Sequence, residues 1–346
     1  MGKSVPGINA QYIEDFKICI HTLGMVRLNK RHKAVFIKEQ VINCLESYGL
    51  ELQQVYSNTT DNGANVIKAS KILQDEQEAK ILEESDTAAE EEENLHRTIE
   101  SVFSEVRCAA HTLQLAAYDV LKTLGSSLED CRTLIKKVRT LVRTESSHMQ
   151  MPVLDNLTRW NSTYEMLTSL QKIKEFIEQQ CPDSEDFHWE FVVDFIKAFK
   201  PLALCTKRMQ SEQYVVGDFY RDWLSCELEL HDLGSTVSYA AQLHDAMKSR
   251  KQSLMSNNAF IAALYLDPRF NFRGPLMLSP QQKVNAENHL RMESSENSMS
   301  SSPQNLNLQY SECLPSTSSN SLSRLEKYIC EDMVETSSDV ERQRHA

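Results

Sequence analysis

Hydrophobic and polar residues alternate in the first part of the chain, in the manner of β-strands. The stretches GINAQYI (7–13) and FKICIHTLGMVRL (16–28) both show this alternation. Glu14 and Asp15 lie between them and predict a tight turn. We therefore predict a β-hairpin at the start of the chain.

The next three segments continue a mixed pattern. Apolar residues in 30–50 recur at helical spacing, and Gly49 is a plausible helix stop. The stretch LQQVYSNTT (52–60) is typical of a strand, and a further helix is predicted through VIKASKIL (66–73). This β-β-α-β-α order predicts an α/β sheet with a mixed edge.

After about residue 110 nearly every apolar pattern has a helical period. The longest examples are HTLQLAAYDVLKTLG (111–125), SLEDCRTLIKKVRTLVRTE (127–145) and the run from 156 to 180. Further helices are predicted over 190–208, 218–233, 239–255 and 258–264. Seven aromatic residues at helical spacing are predicted to form the core of this part: Trp189, Phe191, Phe195, Phe199, Phe219, Tyr220 and Trp223. The fold class is therefore α/β plus all-α.

These patterns divide the chain into four parts. Residues 1–124 form the α/β region, and an acidic stretch at 75–94 is predicted to be a solvated loop or a polar helix extension. Residues 125–291 form a helical domain. Residues 292–323 are rich in Ser and Asn and are predicted to be a disordered linker, and 324–346 hold a short helix and a tail.

Composition narrows the class of protein. The 346 residues carry a formal net charge of -12, so any contact with nucleic acid must use a local basic patch. The nine cysteines include no CxxC pair, which argues for reduced thiols and against a disulfide framework or a cysteine-rich zinc module. We see neither a signal peptide nor an apolar run long enough to span a bilayer, and we expect no membrane partner.

Four motifs occur in a fixed order along the chain: TTDNGANVIKA (59–69), RCAAHTLQLAA (107–117), DNLTRWNSTYEMLTSL (155–170) and LYLDPRF (264–270). Together they resemble the hAT superfamily of DNA transposases and its domesticated relatives, over about residues 5–270. The resemblance implies an RNase H-like mixed sheet, incomplete here, with a large helical insertion domain.

The resemblance also implies a nuclease site with three acids: an Asp on a first strand, an Asp in the TDN motif and a Glu after the helical insertion. Such acids hold two Mg²⁺ or Mn²⁺ ions. Asp61 matches the second acid, and we expect it to be a relic that also caps the following helix. For the first acid the nearest candidates are Glu14 and Asp15, and both are weak. For the third acid the candidate is Glu341, whose match we take as a coincidence. No cofactor is expected unless the active-transposase alternative holds.

The resemblance assigns Cys108 and His111 to a family signature near the active site. A structural zinc site needs about four ligands, so a packing or hydrogen-bonding role is favoured for this pair. Trp160 is either a core residue or, as the family implies, a ring that stacks on a base flipped out of DNA. Arg159 could then contact phosphate.

A basic stripe follows one helical face: Arg132, Lys136, Arg139 and Arg143 recur at spacings of 4, 3 and 4. The opposite face is apolar. Two interpretations stay open, because a solvated face of an amphipathic helix and a phosphate-contacting stripe have the same pattern.

We therefore predict a transposase-derived nuclear protein that binds nucleic acid or other proteins and has no strand-transfer activity. Family members also carry a BED-type zinc finger and a dimerisation region, neither of which is identifiable here. One alternative is an active hAT-type transposase whose missing segments lie outside this sequence. Another is a helical interaction scaffold without DNA binding. Possible partners are DNA, proteins or a second copy, and no small-molecule substrate is expected.

Overall fold

The structure is a computed structural model that describes residues 7–26, 33–61, 63–84, 104–145, 150–181, 187–271 and 278–297. These residues are mostly helical, as predicted, but their strands form two separate two-stranded sheets and not the single mixed sheet that the sequence pattern predicts. The chain divides into two compact units. The sheet-containing unit comprises 1–108, 215–217 and 254–346, and the helical unit comprises 109–214 and 218–253.

The sheet-containing unit begins with the predicted hairpin. Strands β1 (Gly7–Glu14) and β2 (Lys17–Met25) are antiparallel, and their register pairs Glu14 with Lys17. The second sheet pairs β3 (Ser57–Thr60) in parallel with β4 (Ser104–Arg107). The helices of this unit are α1 (Ala34–Ser47), α2 (Ala64–Glu84), α10 (Asn258–Leu266), α11 (Pro268–Asn271) and α12 (Pro280–Asn297).

The helical unit contains the remaining described helices. They are α3 (Ala109–Leu121), α4 (Gly125–Glu145), α5 (Trp160–Lys172), α6 (Lys174–Gln180), α7 (Trp189–Arg208), α8 (Val216–Leu233) and α9 (Ala240–Met255). The first residues of α8 and the last of α9 belong to the other unit. Among the described residues, no helix has the length and apolar character needed to cross a membrane.

Side chains link the elements of the sheet-containing unit. The Tyr48 hydroxyl donates to the Leu23 carbonyl at 2.8 Å, which fixes the end of α1 against β2. Lys38 and Glu76 form an ion pair between α1 and α2. The Asn257 amide donates to the Glu105 carbonyl at 2.7 Å and joins the start of α10 to β4. Helices α2 and α10 also pack against the short parallel sheet.

The structure corrects the predicted strand over 52–60. A 3₁₀ turn occupies Leu52–Gln54, and Glu51 and Gln54 cap it reciprocally, so pairing begins only at Ser57. The partner strand β4 is not predicted from the sequence pattern. The acidic stretch continues α2 as a polar helix through Glu84, and 85–94 lies outside the described residues.

The unit boundaries differ from the limits of 124 and 291 given above. Helix α3 belongs to the helical unit because its buried face, including Leu113 and Val120, packs on α5 and α7. Helix α10 packs on β4 in the sheet-containing unit instead, and α12 packs on α10. Helix α12 runs to Asn297, so the first six residues of the predicted linker are helical. Residues 298–346, including Glu341 and the predicted C-terminal helix, lie outside the described part.

Candidate functional site

Two of the motifs meet at the carboxyl ends of the parallel strands. Thr60 is the last residue of β3 and Arg107 the last of β4, and they are register partners. The Cys108 N–H donates to the Thr60 carbonyl at 2.8 Å, so Asp61 and Cys108 leave the sheet side by side along the backbone. The carboxyl edge of parallel strands is where ligand sites of open α/β sheets occur.

Asp61 is exposed, and its carboxylate bonds to local backbone. Its Oδ1 accepts a hydrogen bond from the Gly63 N–H at 3.1 Å. Because α2 begins at Ala64, this bond forms an Asx turn just before the helix and not an N-cap bond to the helix itself. A Cβ on Gly63 would lie 2.9 Å from the same oxygen, which explains why glycine suits this position.

A second carboxyl group lies on β4, and the sequence analysis missed it. Oε1 of Glu105 is buried and has no hydrogen-bond partner among the described residues. Burial raises the pKa of this carboxyl, and the nearby Arg107 opposes that effect. The hydroxyl of Thr60 on the neighbouring strand is also buried without a partner in the described part of the chain. Only the alternation of Glu105 with Val106 could have indicated this strand.

A two-metal site needs several oxygen ligands that converge on each ion. Within the described ranges, no group of three or more His, Cys, Asp or Glu residues is arranged to hold a metal ion. The exposed carboxylate of Asp61 is engaged with backbone, as given above. The described residues of the sheet edge therefore form no such ligand group.

Cys108 follows β4 directly, and His111 lies in the first turn of α3; both side chains are half-buried. The signature thus spans the point where the chain passes from the sheet-containing unit to the helical unit.

The third motif begins in an extended segment, residues 150–159, that we call the strap. Asp155 is its anchor, and the sequence analysis did not single it out. The guanidinium of Arg132 on α4 donates to both carboxylate oxygens of Asp155, at 2.8–3.2 Å. The pKa of Arg132 is raised mainly by these bonds, against the opposing effect of burial. Thr163 on α5 donates to the same carboxylate at 3.2 Å.

Further bonds hold the strap along its length. Arg139 donates to the Pro152 carbonyl, and the Tyr118 hydroxyl donates to the Leu157 carbonyl at 3.2 Å. Ser162 on α5 accepts from the Asn156 N–H at 2.7 Å. Several residues of the motif DNLTRWNSTYEM therefore bond the strap to α4 and α5.

Trp160 opens α5 and is buried, with 3% of its surface exposed. Its ring packs beside Phe199 of α7, with centroids 6.1 Å apart. In this arrangement neither ring face is available to a base, which matches the core interpretation and not the stacking one.

Two of the four residues of the basic stripe contact the strap. Arg132 and Arg139 are bonded to it, as described. Lys136 has 64% of its side chain exposed, and its ammonium lies 4.0 Å from the carboxylate of Glu129. Arg143 on the same helix is also exposed, as is Arg159 at the end of the strap. We call Lys136, Arg143 and Arg159 the basic surface.

The comparisons with known proteins agree with these motifs. A sequence model of the ZBED1 RNase-like helical domain matches residues 106–188, which run from β4 through α6 to the start of α7. A Zea mays protein named "Putative AC transposase" is 23% identical over 294 residues. The alignment covers 74% of this chain and 33% of that protein, so the chain spans about a third of the length of the curated relative it matches.

The matched region contains the signature at Cys108, the strap and α5. These motifs and matches support an hAT-family transposase-like protein.

Proposed function

We propose that this chain is a nuclear, transposase-derived protein that binds DNA through the basic surface, without sequence-specific base contacts. The single observation that carries the proposal is the exposure of Lys136, Arg143 and Arg159 beside a strap that occupies the other two arginines. The family relationship supports DNA as the ligand.

The local charge of α4 supports DNA binding at this surface. Between Arg132 and Thr144 the sequence of α4 has five basic residues and no acidic residue, although the whole chain carries a net charge of -12. Exposed Lys and Arg attract phosphate and release condensed counterions from DNA. Trp160 has no part in this proposal because its ring is covered.

DNA binding can be tested by fluorescence anisotropy with a labelled duplex between 50 and 200 mM salt. We expect affinity to fall steeply with salt, and the double variant Lys136→Glu/Arg143→Glu to bind at least about tenfold more weakly. Each lost phosphate contact should reduce the slope of log affinity against log salt by about 0.9.

The matched control is Lys197→Glu/Lys200→Glu, which makes the same charge change at two exposed positions on α7. Equal weakening by both double variants would show that only net charge matters and would refute the basic surface. No binding of DNA at 50 mM salt would instead favour the interaction-scaffold alternative.

We also propose that β3 and β4 are part of an RNase H-like sheet and that this chain does not transfer strands by itself. The parallel pairing and the position of Asp61 at a carboxyl edge support the first statement. The described residues of the sheet edge form no group of metal ligands, which supports the second. An incubation of the chain with supercoiled plasmid and Mn²⁺ should give no nicked product. Cleavage that Asp61→Ala abolishes would establish the active-transposase alternative.

A further inference from the structure

The helical unit contains an open cavity of about 460 Å³ that the proposed function does not use. Its walls come from three elements of this unit: the first half of α4, the start of α7 with the residues before it, and the segment before α9. The volume lies within the range of about 300–1,000 Å³ that is usual for small-ligand sites.

The carboxylates that line the cavity give it negative charge. Asp130 from α4 and Glu190 and Asp194 from α7 all line it, and the lining includes neither Lys nor Arg. No ion pair or hydrogen bond joins any of these three carboxylates to another described side chain. Glu190 and Asp194 are one helical turn apart, a spacing at which like charges repel. A cation in the cavity would relieve that repulsion.

Aromatic rings form the other walls. Phe191 and Tyr239 meet edge to face, with centroids 5.7 Å apart and planes at 74°. Burial raises the pKa of the Tyr239 hydroxyl, and the charges of Asp194 and Glu190 raise it further, so the carboxylates act on this ring. Phe187 supplies a third ring.

An ammonium group already contacts a ring that packs on this aromatic group. Phe187 packs edge to face on Trp189, with centroids 5.0 Å apart. The Lys174 ammonium lies over the Trp189 ring, 5.3 Å from its centroid. This is a cation–π contact, for which aromatic faces beside carboxylates are well suited. The chain therefore uses this chemistry next to the cavity.

We propose that this cavity binds an alkylammonium group, either of a lysine side chain in a peptide or of a free polyamine. A divalent metal ion is a poorer occupant, because the described carboxylates do not form a group that could hold one. An alkylammonium ion is larger and can contact both the rings and the dispersed carboxylates. The site lies in the helical unit and does not depend on the proposed DNA contact.

Isothermal titration calorimetry of the full chain at low salt tests the site with two ammonium probes: spermine, and a short neutral peptide with one central lysine. The same peptide with acetyl-lysine serves as the uncharged reference. We expect at least one ammonium probe to bind and the acetylated peptide not to bind. The tighter of the two probes identifies the source of the group.

Tyr239→Leu removes a ring and Asp194→Asn removes a charge, and each should weaken binding about tenfold. The control Glu212→Gln removes a charge at an exposed position of the same unit, outside the cavity, and should leave affinity unchanged. If Tyr239→Leu does not fold, Asp194→Asn still tests the site, because Asp194 is only half-buried. Absence of binding by both ammonium probes, or equal weakening by Asp194→Asn and Glu212→Gln, would overturn the proposal.

Discussion

The helical unit encloses Phe195, Phe199 and Trp223 with none of their surface exposed, whereas the hairpin of the sheet-containing unit leaves Ile13 76% and Ile20 57% exposed. The difference follows from the geometry of the elements. Helices α5 and α7 can surround aromatic residues from several sides. A two-stranded sheet has two faces, and in the described structure α1 approaches this one near Gly24, where Cys44 Sγ would lie 3.2 Å from an added Cβ.

The two regions differ in the interactions that stabilise them. Each fully buried aromatic side chain of the helical unit removes a large apolar area from water. The hairpin is held mainly by backbone pairing, which contributes less per residue. All three tryptophans of the sequence, at 160, 189 and 223, belong to the helical unit. Their fluorescence therefore follows the unfolding of that unit alone.

The largest expected effect is at Phe195. Its ring stacks on Phe199 with centroids 4.1 Å apart and an angle of 11°. Phe195→Ala should lower the free energy of unfolding by about 3–5 kcal/mol, through lost burial and an unfilled cavity. Urea unfolding followed by tryptophan fluorescence measures this change.

The control for Phe195 lies on the same helix. Leu204 is 42% exposed, and Leu204→Ala should cost less than about 1 kcal/mol. Similar losses in the two variants would show that the core of the helical unit is not centred on the aromatic stack.

The next effect is at the strap. Asp155→Ala would leave Arg132, only 17% exposed, without its main partner and should cost about 2–3 kcal/mol. The control Glu129→Ala removes a carboxylate that also touches Arg132 but is 60% exposed, so it should cost well under about 1 kcal/mol. Hydrogen exchange over 150–159 should rise in the first variant only. Equal exchange in both would mean that Asp155 does not anchor the strap.

A smaller effect is expected at Gly217 in the sheet-containing unit. An added Cβ there would lie 1.9 Å from Oδ2 of Asp267, which is paired with Arg269 in the LYLDPRF motif. Gly217→Ala should displace this ion pair and cost about 1–2 kcal/mol, measured by thermal unfolding and by hydrogen exchange over 264–270.

Gly125 is the matched control for Gly217. A Cβ at this helical position meets nothing within 4 Å, so Gly125→Ala should be neutral or stabilise by up to about 1 kcal/mol. Destabilisation of the same size in both variants would show that the contact with Asp267 is not the cause.

The sequence predicts most of the helices and the hairpin because their apolar periods are long. Strand β4 could not be predicted, since its four residues include a single apolar one, Val106. The short β3 was overextended because the alternation continued through a segment whose side chains cap a 3₁₀ turn. Short elements depend on their pairing partners, which a local pattern does not show.

The candidate site was predicted less completely than the fold. Helical spacing places Arg132, Lys136, Arg139 and Arg143 on one face but does not show what crosses that face. The strap comes from residues further along the chain. Two of the four basic side chains, Arg132 and Arg139, form hydrogen bonds with it. Asp155 was overlooked for the same reason, because its role appears only when α4 lies beside it.

The smallest expected effect is a stabilisation, at the turn of the hairpin. Asp15 and Phe16 form the two-residue turn of the hairpin, with φ of 49° and 62°, values that favour Asn-Gly or Asp-Gly. The Phe16 side chain is fully exposed, so the strain is not offset by packing. Phe16→Gly should therefore stabilise the hairpin by about 0.5 kcal/mol, seen as slower amide exchange in β1 and β2.

Phe16→Ala separates the two possible causes of that change, because it removes the ring but keeps a Cβ at positive φ. We expect no gain from this variant. If alanine and glycine slow exchange equally, backbone strain in the turn is not the cause. If both speed exchange, the exposed ring stabilises the hairpin through contacts, and the sheet-containing unit depends on its apolar side chains more than their exposure indicates.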